Sequence, residues 1–156
     1  MTPGLTEEQE TRVRAAVTLI GRTPGYGVVG AGLTAHLGAG KIGCDATLPD
    51  RAQAGLTGRI VLGPEAMSSP TLSLAQTLVH EWHHVHQFPL TKTISFWLGV
   101  LMGRPVMRRF EQPAYRAALD FLETVARAFP DLAEAASAER SAIEAVFEAE
   151  YGGPLD

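Results

Sequence analysis

The chain has 156 residues, of which 46% are hydrophobic and 19% charged, values typical of a soluble globular domain. Its net charge of -4 predicts no basic patch of the kind that binds nucleic acid or an anionic membrane. Cys44 is the only cysteine, which excludes an intrachain disulfide. The polar, acidic N-terminus does not resemble a secretory signal, and the longest apolar stretch, 94–102, is shorter than the ~20 residues that span a bilayer. We therefore expect one domain over residues 1–156, located in the cytoplasm and without a membrane span.

The N-terminal part predicts a helix followed by turns and short strands. Thr6 and Gln9 are spaced as a capping box, and apolar residues recur behind them at helical spacing, so we expect a helix that ends near Gly21. Between Gly21 and Gly43 the chain has eight glycines, which favour turns and short β segments such as one at 28–29. We expect no helix in this segment.

A strand and a long helix are predicted in the middle of the chain. Residues 59–62, Arg-Ile-Val-Leu, are rich in β-branched and apolar side chains and precede Gly63, which indicates a short strand. Ser69 followed by Pro70 is typical of a helix start, and we expect this helix to reach residues 88–89.

This middle helix is apolar over more than half of its circumference, which indicates a central position in the fold. One polar stripe remains, and we expect it to face a cleft or solvent. The stripe consists of Ser73, Gln76, Thr77, His80, His84 and Gln87.

Three further helices are predicted in the rest of the chain. They cover residues 94–102, about 111–129 and 131–150. The first is expected to be buried. The last is expected to begin with Asp131 and Glu134 as a cap pair. No repeat or linker divides the sequence. The expected class is therefore α+β, with a small sheet from the N-terminal half, a central helix and a C-terminal helical part.

Residues 80–84, His-Glu-Trp-His-His, match the pattern H-E-x-x-H. Side chains four residues apart lie on one helix face, so His80 and His84 can bind the same zinc ion. Glu81 lies about 100° further round the helix, where its carboxylate can act as general base towards a water held by the metal. A catalytic zinc also needs a third protein ligand, which the motif does not supply.

The third ligand is expected to be a carboxylate. A metzincin continuation would need glycine at Gln87 and histidine at Leu90, and neither is present. Glu111 is the preferred candidate, because it opens a predicted helix whose small residues would permit close helix packing. The rival acids are Glu123, Glu144 and Glu148, which fall where a glutamate most often belongs to a solvated face.

Three segments share their pattern with a known family. They are residues 58–65, Gly-Arg-Ile-Val-Leu-Gly-Pro-Glu, residues 80–87, His-Glu-Trp-His-His-Val-His-Gln, and residues 110–115, Phe-Glu-Gln-Pro-Ala-Tyr. They resemble the small bacterial metallopeptidase-like proteins related to the contractile-injection-system core domain. The pattern of that family is H-E-x-x-H-x-x-Q, an apolar helix, and E-x-E-A-Y.

The resemblance implies a zincin-like fold of the gluzincin kind. It also implies that the two histidines of the motif and Glu111 are the zinc ligands, with Glu81 as the base. Two positions depart from the known patterns. Pro113 stands where the family usually has its second glutamate, and Tyr115 stands where thermolysin-like gluzincins have an aspartate.

Other polar residues near the motif have two interpretations each. Tyr115 lies one turn after Glu111 and could hydrogen-bond the developing oxyanion or be an ordinary buried tyrosine. His83 could be an alternative ligand or a structural histidine, and Gln87 could orient a ligand histidine or be exposed. Residues 30–35 fit the letters of a dinucleotide fingerprint, which we reject because no helix is expected after them.

These observations predict a zinc-dependent hydrolase, specifically a peptidase, with Glu81 as general base and Tyr115 as a candidate catalytic residue. The expected cofactor is Zn²⁺ and the expected partner is a peptide or protein substrate, which could pair in extended form with a sheet edge. The alternative is a catalytically inactive zinc-bound scaffold or interaction module of zincin-like fold, motivated by Pro113. The sequence leaves the oligomeric state open.

Overall fold

The computed structural model describes residues 4–87, 101 and 103–155, without the side chains of residues 104–106. The fold is mixed α+β and mostly helical, as expected. Its elements in chain order are α1 (Glu7–Arg22), α2 (Gly27–Gly38), β1 (Ile42–Cys44), β2 (Ala52–Ala54), β3 (Ile60–Leu62), α3 (Pro64–Ser68), α4 (Thr71–His86), α5 (Arg104–Ala128), a 3-10 turn (Pro130–Leu132) and α6 (Ala133–Tyr151).

The capping box predicted for α1 is confirmed. The Thr6 hydroxyl accepts from the Gln9 backbone amide, and the Gln9 side chain accepts from the Thr6 backbone amide at 2.9 Å. These two bonds satisfy amides that the first helical turn leaves without partners. One face of α1 is fully buried through Val13, Ala16 and Ile20, so the helix is fixed both at its start and along its length.

The expectation that no helix lies between residues 21 and 43 is wrong, because α2 covers Gly27–Gly38. Its glycines allow close packing. A methyl group added at Gly30 would lie 2.5 Å from the Gly21 Cα atom, and one added at Gly32 would lie 2.4 Å from the Trp82 ring. Glycine costs a helix roughly 1 kcal/mol relative to alanine, and here it lets α1 and α4 approach α2. The fingerprint at 30–35 is still rejected, since these glycines lie inside a helix.

The predicted strand at residues 59–62 is confirmed as β3, the central strand of a three-stranded sheet. The strand order is β1-β3-β2, with β1 parallel and β2 antiparallel to β3. The register pairs Ile42 with Ile60 on one side and Ala54 with Ile60 on the other. Within the described part of the chain, β2 is therefore an edge strand.

Helix α4 begins one residue later than a Ser69 cap would require and ends at His86 instead of at residues 88–89. The Ser69 hydroxyl donates to the Ala66 carbonyl, at the end of α3, and the first residue outside α4 is Pro70, which offers no side-chain cap. Arg12 of α1 binds the Ser69 carbonyl at 2.5 Å. The serine therefore closes the preceding helix and does not open this one.

The polar stripe of α4 does not face solvent along its first half, which corrects our expectation. Ser73, Gln76 and Thr77 are each buried. The Ser73 hydroxyl donates to the Glu139 carboxylate at 2.6 Å, and the Gln76 amide donates to the same oxygen at 3.1 Å. Arg51 also contacts Ser73 and Glu139. Buried polar groups need such partners, so this half of the stripe joins α4 to α6.

Helix α5 begins at Arg104, earlier than the predicted start near residue 111. Gly103 precedes it with a φ of 78°, a conformation that glycine adopts without strain. Pro113 lies inside the helix and on its exposed side. Of the predicted helix at 94–102, all but Leu101 lies outside the described residues, and the Leu101 side chain is 79% exposed.

The last helix, α6, begins at Ala133 after a 3-10 turn, and the predicted cap pair of Asp131 and Glu134 does not form, because Leu132 occupies the cap position. The helix ends at Tyr151 and is followed by Gly152, whose φ is 68°. Phe147 of α6 and Phe121 of α5 are the two largest fully buried side chains.

Helix α4 lies between the N-terminal layer and the two C-terminal helices. It packs against α1, β2 and β3 on one side and against α5 and α6 on the other. Leu74, Ala75 and Leu78 are completely buried there. Among the described helices, none combines the length and the apolar character that crossing a bilayer would require.

Candidate metal centre

The structure brings His80, His84 and Glu111 together. His80 and His84 lie one turn apart on α4, and Glu111 approaches them from α5. The His84 Nε2 atom lies 3.1 Å from His80 Nε2 and 3.0 Å from Glu111 Oε2, while His80 Nε2 lies 3.3 Å from Glu111 Oε2. Three atoms able to bind a metal therefore converge on one point, and the cluster could hold a metal ion.

The spacing of these three atoms fits direct coordination. Neighbouring ligand atoms bonded to one divalent metal at roughly 2.0–2.1 Å lie about 2.8–3.4 Å from one another, from octahedral to tetrahedral geometry. The three observed distances of 3.0, 3.1 and 3.3 Å agree with that range. The side chains would need little rearrangement to bind a metal, although the distances do not identify which one.

Small residues lie on the helix that carries Glu111. Ala114 and Ala118 of α5 are 0% and 1% exposed, and α5 packs against both α4 and α6. Their short side chains suit the close packing that the sequence predicted for this helix. The Phe110 ring stacks on the His84 ring at 5.0 Å between centroids. Glu111 is therefore carried by a helix that packs against α4 and α6, and the residue before it contacts His84.

Gln87 orients His84, one of the two roles considered for it. The Gln87 amide oxygen lies 3.0 Å from His84 Nδ1, and its amide nitrogen donates to the Phe110 carbonyl at 3.2 Å. Because the nitrogen is engaged by a carbonyl, the oxygen must face the imidazole, and His84 Nδ1 is the donor. The proton on Nδ1 leaves Nε2 facing Glu111 with its lone pair available for a metal.

In the metal-free protein, Glu111 and His84 stabilise one another's charged forms. Burial alone would raise the pKa of Glu111, but hydrogen bonds from His80 and His84 outweigh it and lower the pKa to about 2. Burial likewise acts to lower the pKa of His84, but its hydrogen bond to Glu111 reverses the effect and raises the pKa. Before a metal binds, this corresponds to an ion pair between Glu111 and His84.

Glu81 is buried beside the cluster, with only 6% of its surface exposed. Burial raises the pKa of its carboxyl group, while the nearby His80 and His84 act to lower it. The backbone of Ala54 in β2 is close enough to this carboxylate to act in the same direction as the histidines. Glu81 therefore lies beside His80, His84 and Glu111, next to the edge strand, and is not one of the three converging residues.

Tyr115 lies against the cluster, and its ring meets the His80 ring edge-on at 4.8 Å between centroids. Burial and then the charge of Glu150 raise its pKa, so the phenol is protonated at neutral pH. Tyr151 was not identified from the sequence. Its ring centroid lies 6.3 Å from that of Tyr115. Nothing in the local sequence of α6 distinguishes Tyr151, because its position depends on how the C-terminal helix packs.

The rival acids do not join the cluster. Glu123 is half exposed and lies 3.9–4.0 Å from Arg127 and Arg140, and Glu144 accepts from Arg140 at 3.2 Å. Glu148 is exposed. Among the described residues, His83 is not part of the cluster either, and burial lowers its pKa. These side chains belong to solvated or structural surfaces.

Comparison of the chain with protein-family models, curated proteins and solved structures finds no significant match in any of the three.

Proposed function

We propose that this protein is a zinc-dependent hydrolase of zincin-like fold that cleaves peptide bonds. The observation that supports it most directly is the mutual spacing of His80, His84 and Glu111, with distances of 3.0–3.3 Å between their facing atoms. Two imidazoles and one carboxylate are a ligand set of catalytic zinc sites, in which the fourth position stays open. The relation to the contractile-injection-system core domain is part of the same proposal and is supported by the motif residues alone.

Zinc is preferred over other metals because of Glu81. Two histidines and a carboxylate also suit non-haem iron, but a buried carboxylate beside the ligands provides the base that a hydrolase needs. Its burial raises the pKa of Glu81, which favours proton uptake during the reaction. The metal supplies Lewis acidity towards the scissile carbonyl and lowers the pKa of water.

The side chains divide the remaining chemistry among them. Glu81 accepts the proton of the attacking water and returns it to the leaving amine, and the nearby Ala54 amide favours the charged form of its carboxylate. Tyr115 presents a protonated phenol beside His80 and donates a hydrogen bond to the oxygen on which negative charge develops.

The edge strand β2 suggests how an extended substrate is held. Gly55 donates to the Arg59 carbonyl at 2.7 Å and Gly63 donates to the Arg51 carbonyl at 2.8 Å, so residues 51 and 55 point their backbone groups towards β3. The intervening Ala52 and Ala54 point theirs away from β3. The Ala54 amide is directed to Glu81, so a peptide strand can add to that edge through the backbone groups of Ala52 and the Ala54 carbonyl, next to Glu81.

Metal analysis combined with one variant tests the proposal. The purified full chain should contain one zinc and cleave members of a peptide library detected by mass spectrometry. Glu81→Gln should keep the zinc and lose cleavage by at least a hundredfold, since glutamine has the same shape but cannot take up the proton. Glu123→Gln, at a half-exposed ion pair, should behave as the unaltered protein.

Three results would contradict the proposal in different ways. Absence of any bound metal, or iron in place of zinc, would overturn the zinc site. Cleavage that survives in Glu81→Gln would overturn the role of Glu81. A zinc-loaded protein that cleaves no peptide would favour the inactive scaffold.

A further inference from the structure

A series of aromatic contacts runs from His80 of the candidate metal centre to the C-terminal end of α6. The Tyr115 ring contacts His80 at 4.8 Å between centroids, and Phe147 lies 5.0 Å from Tyr115. Tyr151, the last residue of α6, lies 5.0 Å from Phe147 and 6.3 Å from Tyr115. Phe147 and Tyr151, at the end of α6, therefore lie beside Tyr115 and near the candidate metal centre.

Arg108 joins the end of α6 to the helix that carries Glu111. Its guanidinium donates to the Gly152 carbonyl and, at 2.7 Å, to the Pro154 carbonyl. The same group lies 5.4 Å above the Phe147 ring. Arg108 precedes Glu111 by three residues, about one helical turn. The two residues after Tyr151 both have positive φ, at 68° and 101°, so the chain turns sharply there towards Arg108.

The Tyr151 phenol is close enough to the cluster for the charge of Glu111 to act on it. Burial is the main reason that its pKa is raised, and the next cause is the charge of Glu111, which acts on it more strongly than the adjacent Glu150. Asp50, from the loop before β2, also contributes. The hydroxyl is thus a protonated, half-buried donor on which the Glu111 carboxylate acts.

We propose that the Tyr151 hydroxyl donates a hydrogen bond to an oxyanionic ligand, such as a carboxylate, a hydroxamate or the oxyanion of a peptide under attack, bound at the His80, His84 and Glu111 centre. The inference rests on the proposed metal site. It adds a second phenol, from α6, to the one that Tyr115 presents from α5. Arg108 is the positioning residue, because it holds the turn that follows Tyr151.

Cobalt is a suitable probe, since its visible spectrum reports both metal binding and ligand binding. The full chain is loaded with Co²⁺ and titrated with acetohydroxamate. Tyr151→Phe keeps the ring and its packing against Phe147 but lacks the donor. A hydrogen bond to a charged group contributes enough to expect that this variant binds acetohydroxamate about tenfold or more weakly. Its affinity for Co²⁺ should stay within about twofold, because Tyr151 is not a ligand.

Two further variants control the experiment. Tyr26→Phe removes a phenol whose ring packs edge-on against Phe121 and on which Asp120, not a residue of the cluster, acts; it should not change either titration. Arg108→Met removes both hydrogen bonds to the C-terminal turn, and it should weaken acetohydroxamate binding without changing Co²⁺ affinity.

The outcomes separate this inference from the proposed function. If the unaltered protein does not bind Co²⁺, the proposed metal site fails and this inference fails with it. If Co²⁺ binds and acetohydroxamate binds Tyr151→Phe as tightly as the unaltered protein, only the role of Tyr151 is overturned. If Arg108→Met binds the hydroxamate normally, the positioning role of Arg108 is overturned.

Discussion

The Gln87 side chain lies across the His84 ring from Glu111, with its amide oxygen 3.0 Å from His84 Nδ1. The contact fixes which nitrogen carries the proton and therefore which one is available to a metal. Residues that orient a metal-binding histidine in this way typically change metal affinity by about 10- to 100-fold when they are removed.

We expect Gln87→Ala to lower zinc affinity by about 10- to 100-fold while the protein remains folded. Competition with a chromophoric chelator measures the affinity, and circular dichroism checks the fold. Gln53→Ala, at an exposed glutamine of β2, is the matched control and should bind zinc normally. Equal affinities in the two variants would contradict the orienting role of Gln87.

Glu111→Ala should abolish tight zinc binding, because two histidines alone make a weak site. Glu123→Ala should leave zinc binding unchanged, since Glu123 lies on the half-exposed surface beside Arg140. Zinc content after gel filtration distinguishes the two. Retention of stoichiometric zinc by Glu111→Ala would show that a different residue supplies the third ligand.

The stability of the metal-free protein should depend on pH through the pair of Glu111 and His84. The pKa of Glu111 falls from 4.5 to about 2 on folding, so its contribution is complete above pH 4.5 and is lost as the pH falls towards 2. That shift corresponds to about 3 kcal/mol. The pKa of His84 rises above 6.5 on folding, so its contribution is complete below pH 6.5 and is lost as the pH rises through the folded value.

Urea unfolding of the unaltered protein and of Glu111→Gln across this pH range measures the contribution of the pair to stability. We expect the unaltered metal-free protein to exceed the variant in stability most strongly between pH 4.5 and 6.5. The difference should shrink on both sides of that window. A difference in stability that stays constant from about pH 3 to about pH 8 would contradict the ion pair.

The close packing of α2 makes a prediction about its glycines. A methyl group at Gly30 would meet the Gly21 backbone at 2.5 Å, and overpacking of this kind costs about 1–3 kcal/mol or more. Gly30→Ala should therefore lower the free energy of unfolding by that amount. Gly27→Ala is the control, because nothing lies within 4 Å of its added methyl group, and it should be neutral or stabilising by up to ~1 kcal/mol. Equal effects of the two substitutions would refute the packing explanation.

Local rules were sufficient for much of the candidate site. The i and i+4 spacing predicted that His80 and His84 share a face, and Glu111 was preferred over its rivals because small residues surround it in sequence. The structure brings these three together. The capping box of α1 was equally local, since Thr6 and Gln9 are three residues apart.

The predictions from sequence were wrong or incomplete where contacts between distant segments determine the structure. The glycines of α2 disfavour a helix by propensity, and they are used there because Gly21 and Trp82 pack against them. The polar residues Ser73 and Gln76 suggested a solvated stripe, whereas Glu139 satisfies them from a helix more than 60 residues away in sequence. Tyr151 could not be predicted for the same reason, because Arg108 holds the turn that follows it across a separation of 44 residues.

Anomalous diffraction from a zinc-soaked crystal, recorded at the zinc absorption edge, tests the central claim most directly. We expect one strong peak bonded at about 2.0–2.2 Å to His80 Nε2, His84 Nε2 and a Glu111 oxygen, with no fourth protein ligand. A peak elsewhere, or a fourth protein ligand such as His83 closing the site, would contradict the assignment of this protein as a zinc hydrolase.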